Sequence, residues 1–442
     1  MHCLTVEKLG IPTAPVVSSR FEQLVKTAAY KGGMPNERFT FVPHPVGGKP
    51  SSELREYILG KDPITRKPIM EELIEALTQP VSEEEIKTGF IDRPTPRLID
   101  ADTEEDLHRL FLGNGWTDGF PIVLPTEERV VEMLRGTSHK PDEVVGKMRP
   151  TETQEAWEYT IEKVAINAVM AGAKPVYFPV ILALAATQVT ALHSSTSSFA
   201  AMAVVNGPIR QGINMNSGIG ALGPFNHANA TIGRAYGLLS RNLGGGAIPS
   251  VTYLGSQGNP LNYSNICFAE NEERNPWVPF HVQKGFKSDE SVVSVFRGRG
   301  FSHLLDVRQK TWRQQFNNLV SGITPAPGGN LTLLLEPLVA RTLKEREGFD
   351  TKEKLSQWFY ENAKIPAEVY WDYQLVVNYI EPQARKGVEP FASWLNLPKD
   401  AMIPRFDNPR GINVVVVGGE TNAYWFAADF GYLKSESIDK WR

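Results

Sequence analysis

Between residues 206 and 246 the chain sets an unusual density of glycine and asparagine between apolar segments. The run reads Asn206-Gly207-Pro208, Asn214, Asn216, Gly218-Ile-Gly220-Ala-Leu-Gly223, Asn226, Asn229, Gly233-Arg234 and Gly244-Gly245-Gly246. Glycine loses much backbone entropy on folding, so such a run persists where backbone must turn sharply or approach another group closely. This constraint makes the segment the first place to expect a ligand, without naming it. Residues 218–223 fit the G-x-G-x-x-G pattern of dinucleotide-binding folds, but Pro224 follows at once and a helix is expected only from about residue 230. No phosphate would then rest on a helix opened by these glycines, and no acidic residue follows at the spacing a ribose needs. No nicotinamide or flavin signature is present.

Periodicity predicts an α/β protein. A helix fragment over residues 4–9, a strand at 13–17, a helix at 21–29, a strand at 39–42 and a helix at 71–78 make a small N-terminal α/β unit over residues 1–80. Residues 81–101, acidic and then proline-punctuated, read as a linker. A larger mixed α/β domain occupies residues 102–442. It opens with helices at 102–112 and 127–135. Thr151 and Gln154 suit a capping box for a helix carrying Trp157, Ile161, Val164, Ala165 and Ala168. A buried strand follows at 200–205, then a helix over 230–243 capped by Asn229, with Ile232, Ala235, Tyr236, Leu239 and Leu243 on one face. Residues 305–400 read as mainly helical and 413–417 as a buried strand. No internal repeat shows.

At 442 residues the chain is too long for one ordinary core. A net charge of −4 with no long basic run argues against nucleic acid as the partner. The longest apolar stretch, 176–189, is too short to span a bilayer, and no signal-peptide pattern opens the chain, so no membrane role is expected. Two cysteines, Cys3 and Cys267, give no disulfide framework, which makes a cytoplasmic setting the default. No Cys-x-x-Cys or His-x-x-x-His spacing marks a structural zinc site.

Several motifs group into a resemblance. Glu7-Lys8-Leu9-Gly10-Ile11-Pro12, Gly33-Met34-Pro35 and Val42-Pro43-His44-Pro45-Val46-Gly47 resemble the C-terminal part of the substrate-binding selenoprotein subunit of glycine reductase. Later segments do the same for a wider family: Trp116-Thr-Asp-Gly119, Val164-Ala-Ile-Asn167, Asn206-Gly-Pro208, Ala230-Thr-Ile-Gly233-Arg234 and Ala269-Glu270-Asn271-Glu272. With these, the chain resembles the UGSC family of (seleno)proteins over nearly its whole length. The resemblance implies a Rossmann-like N-terminal unit and chemistry at a carbon–sulfur or carbon–nitrogen bond. It also places a reactive selenocysteine or cysteine on a loop before the first helix, whereas this sequence begins inside that helix at Met1-His2-Cys3. The expectation is therefore a truncated unit, a loop supplied by a separate thiol-bearing subunit, or a scaffold remnant. An edge strand left in such a unit favours a homo-oligomer.

Candidate residues follow from side-chain chemistry. Cys267, Glu270 and His281 form the densest reactive set, as nucleophile and acid–base groups or, with His193, His227 or His303, as ligands of a divalent metal. The bland alternative is a buried thiol beside a solvated charge cluster. Asp118 in the Trp116–Gly119 turn is a candidate acid, although aspartate at such turns is usually structural. The start of the Asn229 helix, with Arg234, suits an anion, or else is a cap and a surface pair. Asn206, Asn214 and His193 are further substrate-binding candidates, and Glu420 with Asn422 sits where strand ends carry ligands. No Gly-x-Ser-x-Gly elbow supports a hydrolase triad. The expected function is an enzyme for a small polar or carboxylated metabolite, lyase-like or related to reductases. The alternative is a non-catalytic partner subunit.

Overall fold

The computed structural model describes residues 2–47, 49–86, 97–100, 103–148, 157–193, 195–244, 248–251, 253–304, 307–320, 322–323 and 331–442. The chain is α/β. In the N-terminal unit, α1 (His2–Glu7), β1 (Val16–Ser18), α2 (Glu22–Lys31) and β2 (Thr40–Val42) precede α3 (Ser51–Leu59) and α4 (Ile69–Thr78), with β1 and β2 parallel. Asp62 is fully buried and fixes the turn beneath β2: its carboxylate accepts from Phe41 N and Ile64 N, both at 2.6 Å, and from Thr65 N at 3.0 Å. The expected linker is partly structured. Helix α5 (Glu83–Ile86) folds back, with Arg38 paired to Glu85 and donating to the carbonyls of Gln79 (3.2 Å) and Pro80 (2.8 Å). Residues 87–96 and 101 of that linker lie outside the described residues.

The larger domain begins with α6 (Glu104–Gly113), α7 (Glu127–Leu134) and the antiparallel pair β3 (Val144–Met148) and β4 (Trp157–Thr160). Trp157 is thus on a strand, not on the expected helix; Thr151 and Gln154 lie outside the described residues. Helix α8 (Ile161–Met170) starts one turn later with Thr160 at its N-cap, where a β-branched hydroxyl residue both ends a strand and accepts from a helix N–H. The long apolar stretch is α9 (Phe178–Ala186), buried at every position. Among the described residues no helix is long and apolar enough to cross a membrane.

A six-stranded sheet organises the rest. Its first half runs β5 (Ala200–Asn206), α10 (Ile209–Gly212), α11 (His227–Asn242), β6 (Ile266–Ala269), α12 (Phe280–Gln283) and β7 (Val292–Leu304). Its second half, after α13 (Trp312–Val320), runs β8 (Leu331–Leu335), α14 (Pro337–Glu345), α15 (Lys352–Asn362), β9 (Lys364–Pro366), α16 (Ala367–Asp372), α17 (Glu381–Arg385), α18 (Phe391–Leu395), β10 (Met402–Pro404), β11 (Ile412–Val416) and β12 (Trp425–Ser437). The strand order is β11-β8-β12-β7-β5-β6. β5 pairs parallel with β6 and antiparallel with β7; β8 pairs parallel with β11 and antiparallel with β12; β7 and β12 join the halves. The same β-α-β-β unit therefore occurs twice, a repeat of topology that the sequence reading did not contain. Residues 305–400 are mainly helical, as expected, and also hold β8 and β9.

The sheet curls until its outer strands meet, with Asn271 N donating to Val416 O at 2.8 Å. Alternate residues of all six strands fill the enclosed side: Met202, Val204, Phe268, Phe296, Leu334, Val415 and Phe430 share one core. Outward residues of the first half, including Ala203, Cys267 and Val295, pack on α8, α9 and α11. Those of the second half, including Leu333, Val414 and Trp425, pack on α13, α14 and α15.

Candidate functional site

Two polar constellations stand out, and they share none of their residues. The first lies where the curled sheet closes. The β5–β6 pairing continues one residue past the strand, Glu270 N donating to Val205 O, so the strand alternation carries on and Glu270 takes the enclosed side with Phe268. Cys267 takes the opposite side. Glu270 is fully buried, and its Oε1 accepts from Lys352 Nζ (3.1 Å) and Asn275 Nδ2 (2.9 Å). Its Oε2 accepts from Asn206 Nδ2 and Phe280 N, both at 2.6 Å. Beside it, Glu272 accepts from Gly207 N and Asn206 Nδ2 at 2.8 Å and meets Arg210 Nη2 at 3.1 Å. Arg210 also donates to Glu270 O (2.9 Å) and pairs with Glu273, whose carboxyl it holds below the ordinary range. Buried charges persist when paired and hydrogen-bonded, and here Glu270 and Arg210 are.

This arrangement changes the expected catalytic set. Cys267 is buried, its thiol is pushed up to about 12 by burial, and it faces away from Glu270, so it is not a ready nucleophile. His281 is fully buried; neither ring nitrogen has a hydrogen-bond partner, and the nearest carboxylate, Glu272, lies 3.9 Å from Nδ1. Cys267 and Glu270 therefore lie on opposite sides of the sheet. Among the described residues no group of three or more histidine, cysteine, aspartate or glutamate side chains is placed to hold a metal ion.

The glycine- and asparagine-rich loop uses its amides on itself. Asn226, not Asn229, caps α11, accepting from Asn229 N at 3.1 Å. Asn229 lies buried in the first turn, accepts from Asn216 N (3.1 Å) and donates to Asn216 O (2.9 Å) and Ala221 O (3.2 Å). Asn226 donates to the carbonyl of Asn214, itself exposed at φ +55°. These groups are occupied in shaping the loop. Glu420 sits at an exposed loop tip paired with Arg341 and Arg274, and Asn422 is exposed on the same loop.

The second constellation is a cavity of about 470 Å³. One wall is α11, where Arg234, Gly237 and Arg241 recur at i, i+3 and i+7 and so share a face opposite the Ile232–Leu239 core stripe. The facing wall is residues 257–260 and 262–265. The walls come close because α11 offers glycines: a Cβ at Gly233 would lie 2.7 Å from Asn265 O, and one at Gly237 2.5 Å from Asn265 Nδ2. The Trp116–Phe120 turn closes one end. Asp118 receives Arg234 in a bidentate pair, 2.7 and 2.9 Å, and Arg234 also donates to Pro121 O at 2.8 Å. Arg241 donates to Gly115 O, and burial pulls it below the ordinary guanidinium value while Asp118 acts in the other direction. Trp116 itself is 36% exposed, so it is Thr117, not the indole, that is buried in this turn.

Polar groups in this wall remain unmatched. Asn265 is 5% exposed at φ +51°, and its Oδ1 has no hydrogen-bond partner. Tyr253 and Asn262 neighbour each other, yet Tyr253 Oη and Asn262 Oδ1 form no hydrogen bond of proper geometry. Asn259 is satisfied, donating to Ser198 O and Arg299 O. Of the expected residues, the cavity brings together Asp118 and Arg234. His193 follows the lining residue Leu192 and lies against Phe199 at 6.1 Å between centroids. Sequence reasoning missed Arg241, Asn262 and Asn265 here, and Arg210 and Lys352 at the closure. Only the Arg234–Gly237–Arg241 spacing carried a legible signal.

No curated protein and no solved structure matches the chain. A family model does: residues 2–60, spanning α1 to α3, match the UGSC family. Over that N-terminal segment the chain is similar to the UGSC family.

Proposed function

We propose that the large domain binds a small polar, carboxylated metabolite in the cavity beside α11 and acts on it as an enzyme, with Asp118 as its acid–base group. The observation that supports this is charge. Among the described residues lining the cavity, two guanidinium groups, Arg234 and Arg241, face one carboxylate, Asp118. Guanidinium groups bordering a partly enclosed space of ligand size favour an anionic group there. A carbon–sulfur or carbon–nitrogen bond as the reacting bond rests on the family resemblance alone. The two free cysteines accord with a reducing cytoplasm, and the two-stranded β1–β2 sheet offers an edge for a homo-oligomer.

Calorimetric titration with short mono- and dicarboxylates tests the reading. Saturable binding, weakened about tenfold or more by Arg241→Gln, is the expected result. Absence of binding to any of them overturns it. A second reading, a binding subunit whose reactive thiol sits on another chain, is favoured by the position of Cys267. It lies on the helix-packed side of the sheet, remote from any bound ligand's reach without unfolding. Assay for thiol or ammonia release from carboxylated thioethers and amines separates the two.

A further inference from the structure

The N-terminal unit holds a cavity of its own, of about 370 Å³, sharing no residue with the cavity beside α11. Lys26, Thr27 and Tyr30 stand at i, i+1 and i+4 on α2 and so share one face, whereas Ala29, off that face, packs into the core with Leu4 and Met34. After α2 the chain reverses at Gly33, at φ +78°, and Met34 anchors the return, its N–H donating to Ala29 O at 2.9 Å. Pro35, Glu37 and Phe39 on the returning segment complete the lining. We propose that this cavity binds a small primary amine with an apolar tail and no carboxylate, Glu37 serving as its counter-ion.

Glu37 is 7% exposed, yet among the described residues no hydrogen bond or ion pair reaches its carboxylate. Oε2 is enclosed, which leaves Oε1 as the oxygen open to the cavity. A carboxylate so placed is costly unless a cation meets it. The charged groups nearby do not. Glu7 on α1 adds like charge and is itself buried, accepting from Thr13 N at 3.1 Å and Thr13 Oγ1 at 2.7 Å. Lys26 is taken by Glu22 at 2.5 Å, and Arg38, next to Glu37 in sequence, by Glu85. Burial, and after it Glu7, pushes the Glu37 carboxyl up to about 7, the chain's amino terminus acting in the opposite direction. An ammonium supplies the missing charge together with N–H donors. Tyr30 and Phe39 offer aromatic surface to its tail and to the cation itself. A ligand carboxylate would add a third negative charge beside Glu37 and Glu7. A metal ion is disfavoured because, among the described residues, no third histidine, cysteine, aspartate or glutamate joins those two.

The test is a matched series on the full chain, 2-phenylethylamine, 2-phenylethanol and phenylalanine, each titrated calorimetrically. At pH 8 the amine is expected to bind about tenfold or more tightly than the other two. It stays protonated from pH 6 to pH 8, while Glu37 passes from about one-tenth to about nine-tenths ionised, so its affinity should rise about tenfold over that range. Glu37→Gln keeps the shape and removes a buried charge. It should melt no lower than the unaltered protein at pH 8, bind the amine no better than the alcohol, and lose the pH step. Equal binding of the amine and either analogue overturns the assignment, as does a pH step that survives Glu37→Gln. A lower melting point for that variant would mean that the fold already supplies the counter-charge, and the absence of any binding would leave the cavity without this ligand; each of these also overturns it.

Discussion

The two halves of the curled sheet share a topology and differ in what they do with their loops. In the second half, β8 ends in Glu336, whose carboxylate simply pins the loop after β11 by accepting from Thr421 N and from Tyr424 N at 2.8 Å. In the first half, the loop after β6 carries Glu270, Glu272 and Glu273, joined to Asn206 and Arg210 from the end of β5. Lys352 reaches across from the second half to complete that network. The same architecture thus supports a plain hinge on one side and a charged, buried closure on the other. The lesson is that the cavity lies beside the half whose own charges are spent on structure. Arg210 and Glu270 resemble catalytic groups by type, yet their partners account for them; Asn265 looks ordinary in sequence and leaves its Oδ1 unmatched.

The largest effect expected from disturbing this difference is at Lys352. Lys352→Met leaves Glu270 buried without its cation and should cost about 3–5 kcal/mol in denaturant unfolding. Replacing both partners together, Glu270→Met with Lys352→Met, should restore much of the loss, and no restoration would mean that the pair is not the source. Next come the matched glutamates. Glu272→Gln removes a charge that accepts from Asn206, Gly207 and Arg210 and should cost about 2 kcal/mol, against about 1 kcal/mol for Glu336→Gln. Equal costs would erase the asymmetry between the halves.

A smaller effect depends on pH. Burial, and after it Lys352, brings the Lys284 ammonium down to about 8 from an ordinary 10.5. A basic group lowered by folding contributes stability above its unfolded value, and that contribution is lost as pH falls through the folded value. Relative to Lys284→Met, the unaltered protein should therefore lose about 1–2 kcal/mol between about pH 10 and pH 7, after discounting for its partial exposure. Parallel stability curves for the two proteins would refute this. The smallest effect is at Cys267→Ala, about 1 kcal/mol for lost packing. It should leave ligand binding unchanged by calorimetry, since the thiol faces the helices and not the cavity.

How far the sequence was legible follows from the range of each signal. β5 and β11 read correctly because unbroken apolar runs mark strands buried on both faces, as Ala200–Asn206 and Ile412–Val416 are. β7 did not, because Arg297, Gly298, Arg299 and Gly300 interrupt its pattern, and the explanation lies on another strand. Gly298 sits against the carbonyl of Asp429, and Arg299 pairs with Asp429 at 3.0 Å. Asp118 and Arg234 were each visible as candidates, but their pairing across 116 residues was not. Lys352 follows Thr351 at a helix start, where a lysine ordinarily points to solvent; nothing local says that it is fully buried. Asn229 was mistaken for a cap because Asn226, three residues earlier, has the same capping chemistry.

The long central ribbon bears on how the chain reaches this state. Each half can gather its three strands from nearby sequence, but β7 and β12 pair from Val292↔Ser437 to Trp425↔Leu304, joining segments made far apart in time during synthesis. Until β12 arrives, β7 is an open edge of 13 residues, the kind of surface on which other chains add strands. The two arginines and two glycines in its middle are poor material for a stranger's strand. What interrupts the pattern of β7 also guards it while it waits.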